Sequence, residues 1–122
     1  MMAKILLAED DNLTRATLAK FLQASGYDVA LAENGMEALS LLEKQKFDLV
    51  LSDVVMPNLS GWGLLNHVNS VCPQTPIVLM TAYPSIQSLN PPSGLRPDLI
   101  LKPLVLTELL TKIENLLDQK KS

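Results

Sequence analysis

The sequence predicts an α/β fold, a five-stranded parallel sheet with helices on both faces. Five short apolar runs recur at even intervals: Ile5–Ala8, Val29–Ala32, Leu49–Leu51, Ile77–Met80 and Leu99–Leu101. Segments with helical spacing lie between them. Strand and helix alternating at this pitch demand parallel strands joined by right-handed crossovers.

Each run is three or four residues long and apolar throughout, which suits strands buried on both faces. After the first run, Asp11 or Asn12 can cap a helix bearing Leu13, Ala16, Leu18, Phe21 and Leu22. Asn34 followed three residues later by Glu37 forms a capping box ahead of Ala38, Leu39, Leu41 and Leu42. A third helix follows the third run. It is entered at Gly61-Trp62, carries His67 as a surface residue, and runs out into a connection at Cys72-Pro73. Leu106, Leu109, Leu110, Ile113, Leu116 and Leu117 hold one helical face over three turns. Proline is absent before Pro57, whereas Pro84, Pro91, Pro92 and Pro97 crowd together, so the chain between residues 83 and 97 is expected to be irregular.

A chain of 122 residues makes one domain, spanning 1–122. Its 48% apolar and 19% charged residues fit a globular protein and argue against disorder. Ten Lys and Arg against thirteen Asp and Glu leave a net charge of −3, which offers no basic footprint for nucleic acid or an anionic membrane. The single cysteine, Cys72, excludes an internal disulfide. No apolar run is long enough to span a bilayer or to act as a secretion signal. A small acidic cytoplasmic domain is expected, without membrane insertion or direct nucleic-acid binding.

In a sheet of this kind ligands bind beyond the carboxyl ends of the strands, where the strand order switches. Glu9, Asp10 and Asp11 follow the first strand, Asp53 the third, Thr81 the fourth and Lys102 the fifth. Carboxylates gathered there repel one another and raise each other's pKa unless a cation neutralises them. A hard cation such as Mg²⁺ suits two carboxylates, a backbone carbonyl and retained waters. Zinc does not fit, because His67 and Cys72 lie elsewhere. Metal, lysine and hydroxyl together can hold the equatorial oxygens of a phosphoryl group in transfer. Taken singly, each residue has a plainer role. Asp11 suits a helix N-terminus, Asp53 a turn, Lys102 a surface bend and Thr81 a strand. Their joint placement at strand carboxyl ends is what argues for a site.

The stretches Lys4–Asp11 (KILLAEDD), Asp48–Pro57 (DLVLSDVVMP) with Gly61 following, Pro76–Ala82 (PIVLMTA) and Lys102-Pro103 agree in order and spacing with a known family. Over nearly its whole length the chain resembles the receiver domain of two-component response regulators. The resemblance implies a flavodoxin-like strand order, 2-1-3-4-5, whereas the prolines between residues 83 and 97 are expected to leave the helix between the fourth and fifth strands short or irregular. It implies that Asp53 accepts a phosphoryl group from a phosphohistidine and becomes an acyl phosphate. It makes Asp10 a direct Mg²⁺ ligand, Glu9 a ligand through water and the Val55 carbonyl a further ligand. Lys102 would pair with the phosphoryl group, and Thr81 would hydrogen-bond it. Ala82 keeps access open, and the Lys102-Pro103 bond would be cis. The implied partners are a sensor histidine kinase or histidine phosphotransfer protein, and a downstream target or a linked output domain outside this chain.

Two features depart from the family pattern. The aromatic switch residue three positions before the lysine is Leu99 here, and no Tyr or Phe follows Tyr83. An inward aromatic rotation coupled to Thr81 is therefore not available. The stretch from Tyr83 to Asp98 is also too rich in proline for a long helix. Val55, two residues beyond Asp53, cannot orient an attacking water, and Tyr83, two beyond Thr81, is bulky enough to shield the phosphoryl group, so slow self-dephosphorylation is expected. The chain is thus expected to be a phosphoacceptor signalling domain, not an enzyme acting on external substrates. A phosphatase would want an acid where Val55 stands. A flavin or nucleotide binder would want a phosphate loop where Glu9-Asp10-Asp11 repels phosphate. The main alternative is a receiver-like protein-binding module that works without phosphorylation.

Overall fold

The computed structural model describes residues 2–82 and 98–121. In chain order the elements are β1 (Lys4–Ala8), α1 (Asn12–Ala24), β2 (Asp28–Ala32), α2 (Gly35–Lys44), β3 (Leu49–Asp53), α3 (Gly61–Val71), β4 (Ile77–Thr81), β5 (Asp98–Leu101) and α4 (Leu106–Lys121). The strands form one parallel sheet in the order β2-β1-β3-β4-β5. The expectation of a short or irregular helix between the last two strands falls on residues 83–97, which lie outside the described residues.

Side chains alternate across the sheet and divide the core into two layers. Ile5, Leu7, Leu49, Leu51, Val78 and Met80 pack on one face against α1 and α4, through Leu18, Leu22, Leu109 and Ile113. Leu6, Ala8, Val50, Ile77 and Leu79 pack on the other against α2 and α3, through Ala38, Leu64, Leu65 and Val68. This double burial explains why the runs of β1, β3 and β4 are apolar at consecutive positions.

It does not extend to β2 and β5. These are the edge strands, and Leu31 and Leu101 are exposed there. The sequence pattern could not separate edge from centre, because the edge runs are just as apolar. Leu13 and Ala16 also face solvent, so the buried stripe of α1 starts one turn later, at Leu18. Asp11 caps α1 by accepting from the Thr14 amide at 2.8 Å. Asn34 caps α2 by accepting from the Glu37 amide at 2.8 Å, while Glu37 accepts from the Glu33 amide. Trp62 and His67 are partly buried on α3, and Cys72 is a free thiol at the C-cap of that helix.

Candidate functional site

Parallel pairing delivers all five strand carboxyl ends to one edge of the sheet. The register sets Ala8 beside Ser52, so the chain leaves β1 into Glu9 at the level where β3 ends in Asp53. Asp53 lies beside Met80, and Thr81 beside Leu101. The Lys102 amide donates to the Thr81 carbonyl at 2.8 Å, which brings the next residue of that strand to the same edge.

Carboxylate oxygens of Glu9, Asp10 and Asp53 all lie within 4.8 Å of one another. Glu9 and Asp53 are buried, and Asp10 is exposed. Lys102 Nζ donates to Asp53 Oδ2 at 2.7 Å and to Glu9 Oε2 at 3.3 Å. Thr81 is buried at the end of β4. Asp11, the third acid of the run, stands outside this cluster and serves as a helix cap. The Thr14 hydroxyl and amide hold its carboxyl below the usual range.

Burial raises the Glu9 carboxyl from its ordinary 4.5 to about 7. The Asp11 amide, which donates to Glu9 Oε1 at 3.1 Å, works against the rise, and the neighbouring Asp53 charge adds to it. Burial disfavours the Lys102 charge, but its bonds to Asp53 and Glu9 outweigh that and raise its pKa. The raised Glu9 value couples folding to pH. Between pH 4.5 and about 7 the folded protein keeps a proton that the unfolded chain has released, so folding stability falls as pH rises through that window. In a divalent-free buffer, denaturation of the parent is expected to show this slope. Glu9→Gln, which cannot titrate, should flatten it. An equal slope in the variant would contradict the assignment.

The turn after β3 is tight. The Val54 amide donates to the Met80 carbonyl at 3.0 Å, and the Gly61 amide donates to the Val54 carbonyl at 2.9 Å. Asn58 takes a left-handed φ of 73°, which asparagine tolerates. A Cβ on Gly61 would stand 2.5 Å from the Asp53 carbonyl oxygen, so a side chain there would displace the acidic residue's own backbone. Val55, inside this loop, has an exposed side chain. Leu99 pairs with Leu79 and packs against the α2–α3 layer of the core. The Lys102-Pro103 peptide is cis. Tyr83 lies outside the described residues.

The structure thus brings together Glu9, Asp10, Asp53 and Lys102, and places Thr81 and Val55 at the same edge. Sequence reasoning missed three neighbours. The Ser52 hydroxyl donates to the Asp53 carbonyl at 2.9 Å. Gly35 abuts the Leu59 backbone. Arg15 Nη1 donates to the Glu9 carbonyl at 2.8 Å. Arg15 alone left a readable signal, as a cation in the first turn of a helix, where the dipole disfavours it.

The family model for the response regulator receiver domain matches residues 5–114. Response regulator receiver protein CpdR of Brucella abortus (strain 2308) is 37% identical over 118 residues, covering 95% of this chain and 98% of that relative. Response regulator MprA of Mycobacterium sp. (strain KMS) is 36% identical over 120 residues, or 96% of this chain. The chain spans 51% of that relative's length. Among solved structures, the chemotaxis response regulator CheY4 of Vibrio cholerae superposes with a TM-score of 0.85 at 29% identity, covering 95% of this chain and 99% of that one.

Proposed function

Because this chain belongs to the response regulator receiver family of two-component systems, we propose that Asp53 is its phosphoacceptor and that residues 1–122 act as a single receiver domain. The observation that carries the reading is the convergence of three carboxylates within 4.8 Å, two of them bonded to one lysine. A surface turn or a plain helix cap has no need of that arrangement.

The donor set is entirely hard oxygen, which fits Mg²⁺ and not a softer metal. Asp10 and Asp53 would hold the ion directly, Glu9 through water, and the Val55 carbonyl would complete the protein ligands. When bound, Mg²⁺ offsets the carboxylate charge and that of the transferring phosphoryl oxygens. An Asp53 carboxylate oxygen attacks phosphorus. The P–N bond to the donor histidine breaks as the new O–P bond forms, leaving an acyl phosphate and a free imidazole. Lys102 holds the charge that gathers on the phosphoryl oxygens, and Thr81 hydrogen-bonds one of them afterwards. The Val55 side chain has no polar atom to steer water, so the acyl phosphate is lost slowly.

The donor would be a sensor histidine kinase or a histidine phosphotransfer protein in the cytoplasm. A groove of about 390 Å³ beside the site supports this. It is lined by Leu13, Leu18, Pro103, Leu104 and Leu106 together with Thr14, Thr17 and Lys102, and suits a largely apolar helical surface that presents a histidine. The signal would pass to a protein target or to an output domain outside this chain. With Leu99 in place of an aromatic, that passage does not use the aromatic rotation. No helix among the described residues is long and apolar enough to cross a membrane.

Mg²⁺ titration by calorimetry separates this reading from a phosphorylation-independent binding module. Saturable binding that Asp10→Asn abolishes is the expected result. A parent protein that is folded and does not bind Mg²⁺ would favour the module.

A further inference from the structure

Arg15 occupies a position that its own helix disfavours. It lies in the first turn of α1, at the positive end of the macrodipole, and its side chain is only 12% exposed. Local acceptors offset both costs. Nη1 donates to the Glu9 carbonyl at 2.8 Å, and Nη2 donates to Asn12 Oδ1 and lies 3.5 Å from Glu33 Oε1. The Glu9 amide meanwhile donates to the Ala32 carbonyl at 3.1 Å. The main chain at Glu9 is therefore held from both sides, by the end of β2 through its N–H and by Arg15 through its carbonyl. That carbonyl belongs to the peptide joining Glu9 to Asp10, the two residues whose carboxylates enter the acidic cluster.

We propose that Arg15 is a positioning residue for the acidic pair: it fixes the Glu9–Asp10 peptide and thereby the placement of both carboxylates for a divalent cation. This rests on the metal-binding reading above. A guanidinium is suited to the task, because its planar fork serves several acceptors at once where an ammonium is a single flexible point charge. Groups that orient metal ligands from behind typically contribute 10–100-fold to metal affinity.

The sign of the effect makes the role testable. As a charge alone, Arg15 repels an incoming cation, so removing it would tighten Mg²⁺ binding. As a positioning group, removing it loosens the ligands and weakens binding. Calorimetric titration of the parent, Arg15→Ala and Arg15→Lys with Mg²⁺ is expected to show about a tenfold or greater loss of affinity in Arg15→Ala. Arg15→Lys should also bind more weakly, since it keeps the charge but cannot reach all the acceptors. Phosphorylation by a small-molecule donor should need more Mg²⁺ for half-saturation in both variants, with the rate recovering at saturating Mg²⁺. Parental or tighter affinity in the variants overturns the proposal. Should Arg15→Ala fail to fold, Arg15→Lys decides alone. A parent that does not bind Mg²⁺ overturns the metal reading and this inference with it, whereas a binding parent with unchanged variants overturns this inference only.

Discussion

Lys102→Ala is expected to slow phosphorylation of the protein roughly 10²-fold or more while tightening its hold on Mg²⁺. The two effects come from one atom. Lys102 Nζ lies 2.7 Å from Asp53 Oδ2 and 3.3 Å from Glu9 Oε2, so at rest it supplies positive charge that a divalent ion would otherwise supply. Without it, the buried Glu9 and Asp53 are left with a larger uncompensated charge, and an added cation gains more by binding. The transferring phosphoryl group, however, carries negative charge on its equatorial oxygens, and a preorganised cation beside Asp53 favours the transition state over the free reactants. Rates from a small-molecule phosphodonor at saturating Mg²⁺, set beside calorimetric affinities, give both numbers. An unchanged rate would remove Lys102 from the chemistry.

Gly35→Ala should cause the largest loss of stability of any single-methyl addition considered. A Cβ at that position would stand 1.8 Å from the Leu59 carbonyl oxygen and 2.5 Å from the Leu59 carbonyl carbon and Cβ. The nearest of these atoms are backbone, so no change of rotamer relieves the clash. Either the start of α2 moves outward or the β3–α3 loop that carries Val55 shifts. The expected cost is roughly 2–4 kcal/mol, at the upper end for overpacking. For a domain of this size that lowers the melting temperature on the order of 10 °C. Gly26→Ala is the useful contrast. Gly26 has a φ of 98° with nothing within 4 Å of a Cβ, so only backbone strain of about 1 kcal/mol applies. Thermal denaturation that found the two substitutions equally costly would contradict the close packing of α2 on the loop.

Much of this was legible in the residues themselves. The apolar runs of β1, β3 and β4 read as doubly buried strands because the core lies on both faces of the sheet, and no turn chemistry obscured them. Asp53, Lys102 and Thr81 were legible because topology alone delivers strand ends to one edge. Asp11 was ambiguous between ligand and cap, and its bond to the Thr14 amide makes it a cap. The edge character of β2 and β5 was hidden, since exposure depends on neighbours that a local run does not encode. The Gly35 contact with Leu59 joins positions twenty-four residues apart, and the Arg15 contact depends on which carbonyl its side chain reaches. Both are products of packing, which spacing does not reveal.

Phosphotransfer in this protein requires Asp53 as the acceptor. The direct test is to incubate the protein with Mg²⁺ and a small-molecule phosphodonor and record its intact mass beside an Asp53→Asn control. A gain of one phosphoryl group in the parent, absent from the variant, is the predicted result. A folded parent that gains nothing, or a variant that gains as much as the parent, would contradict it.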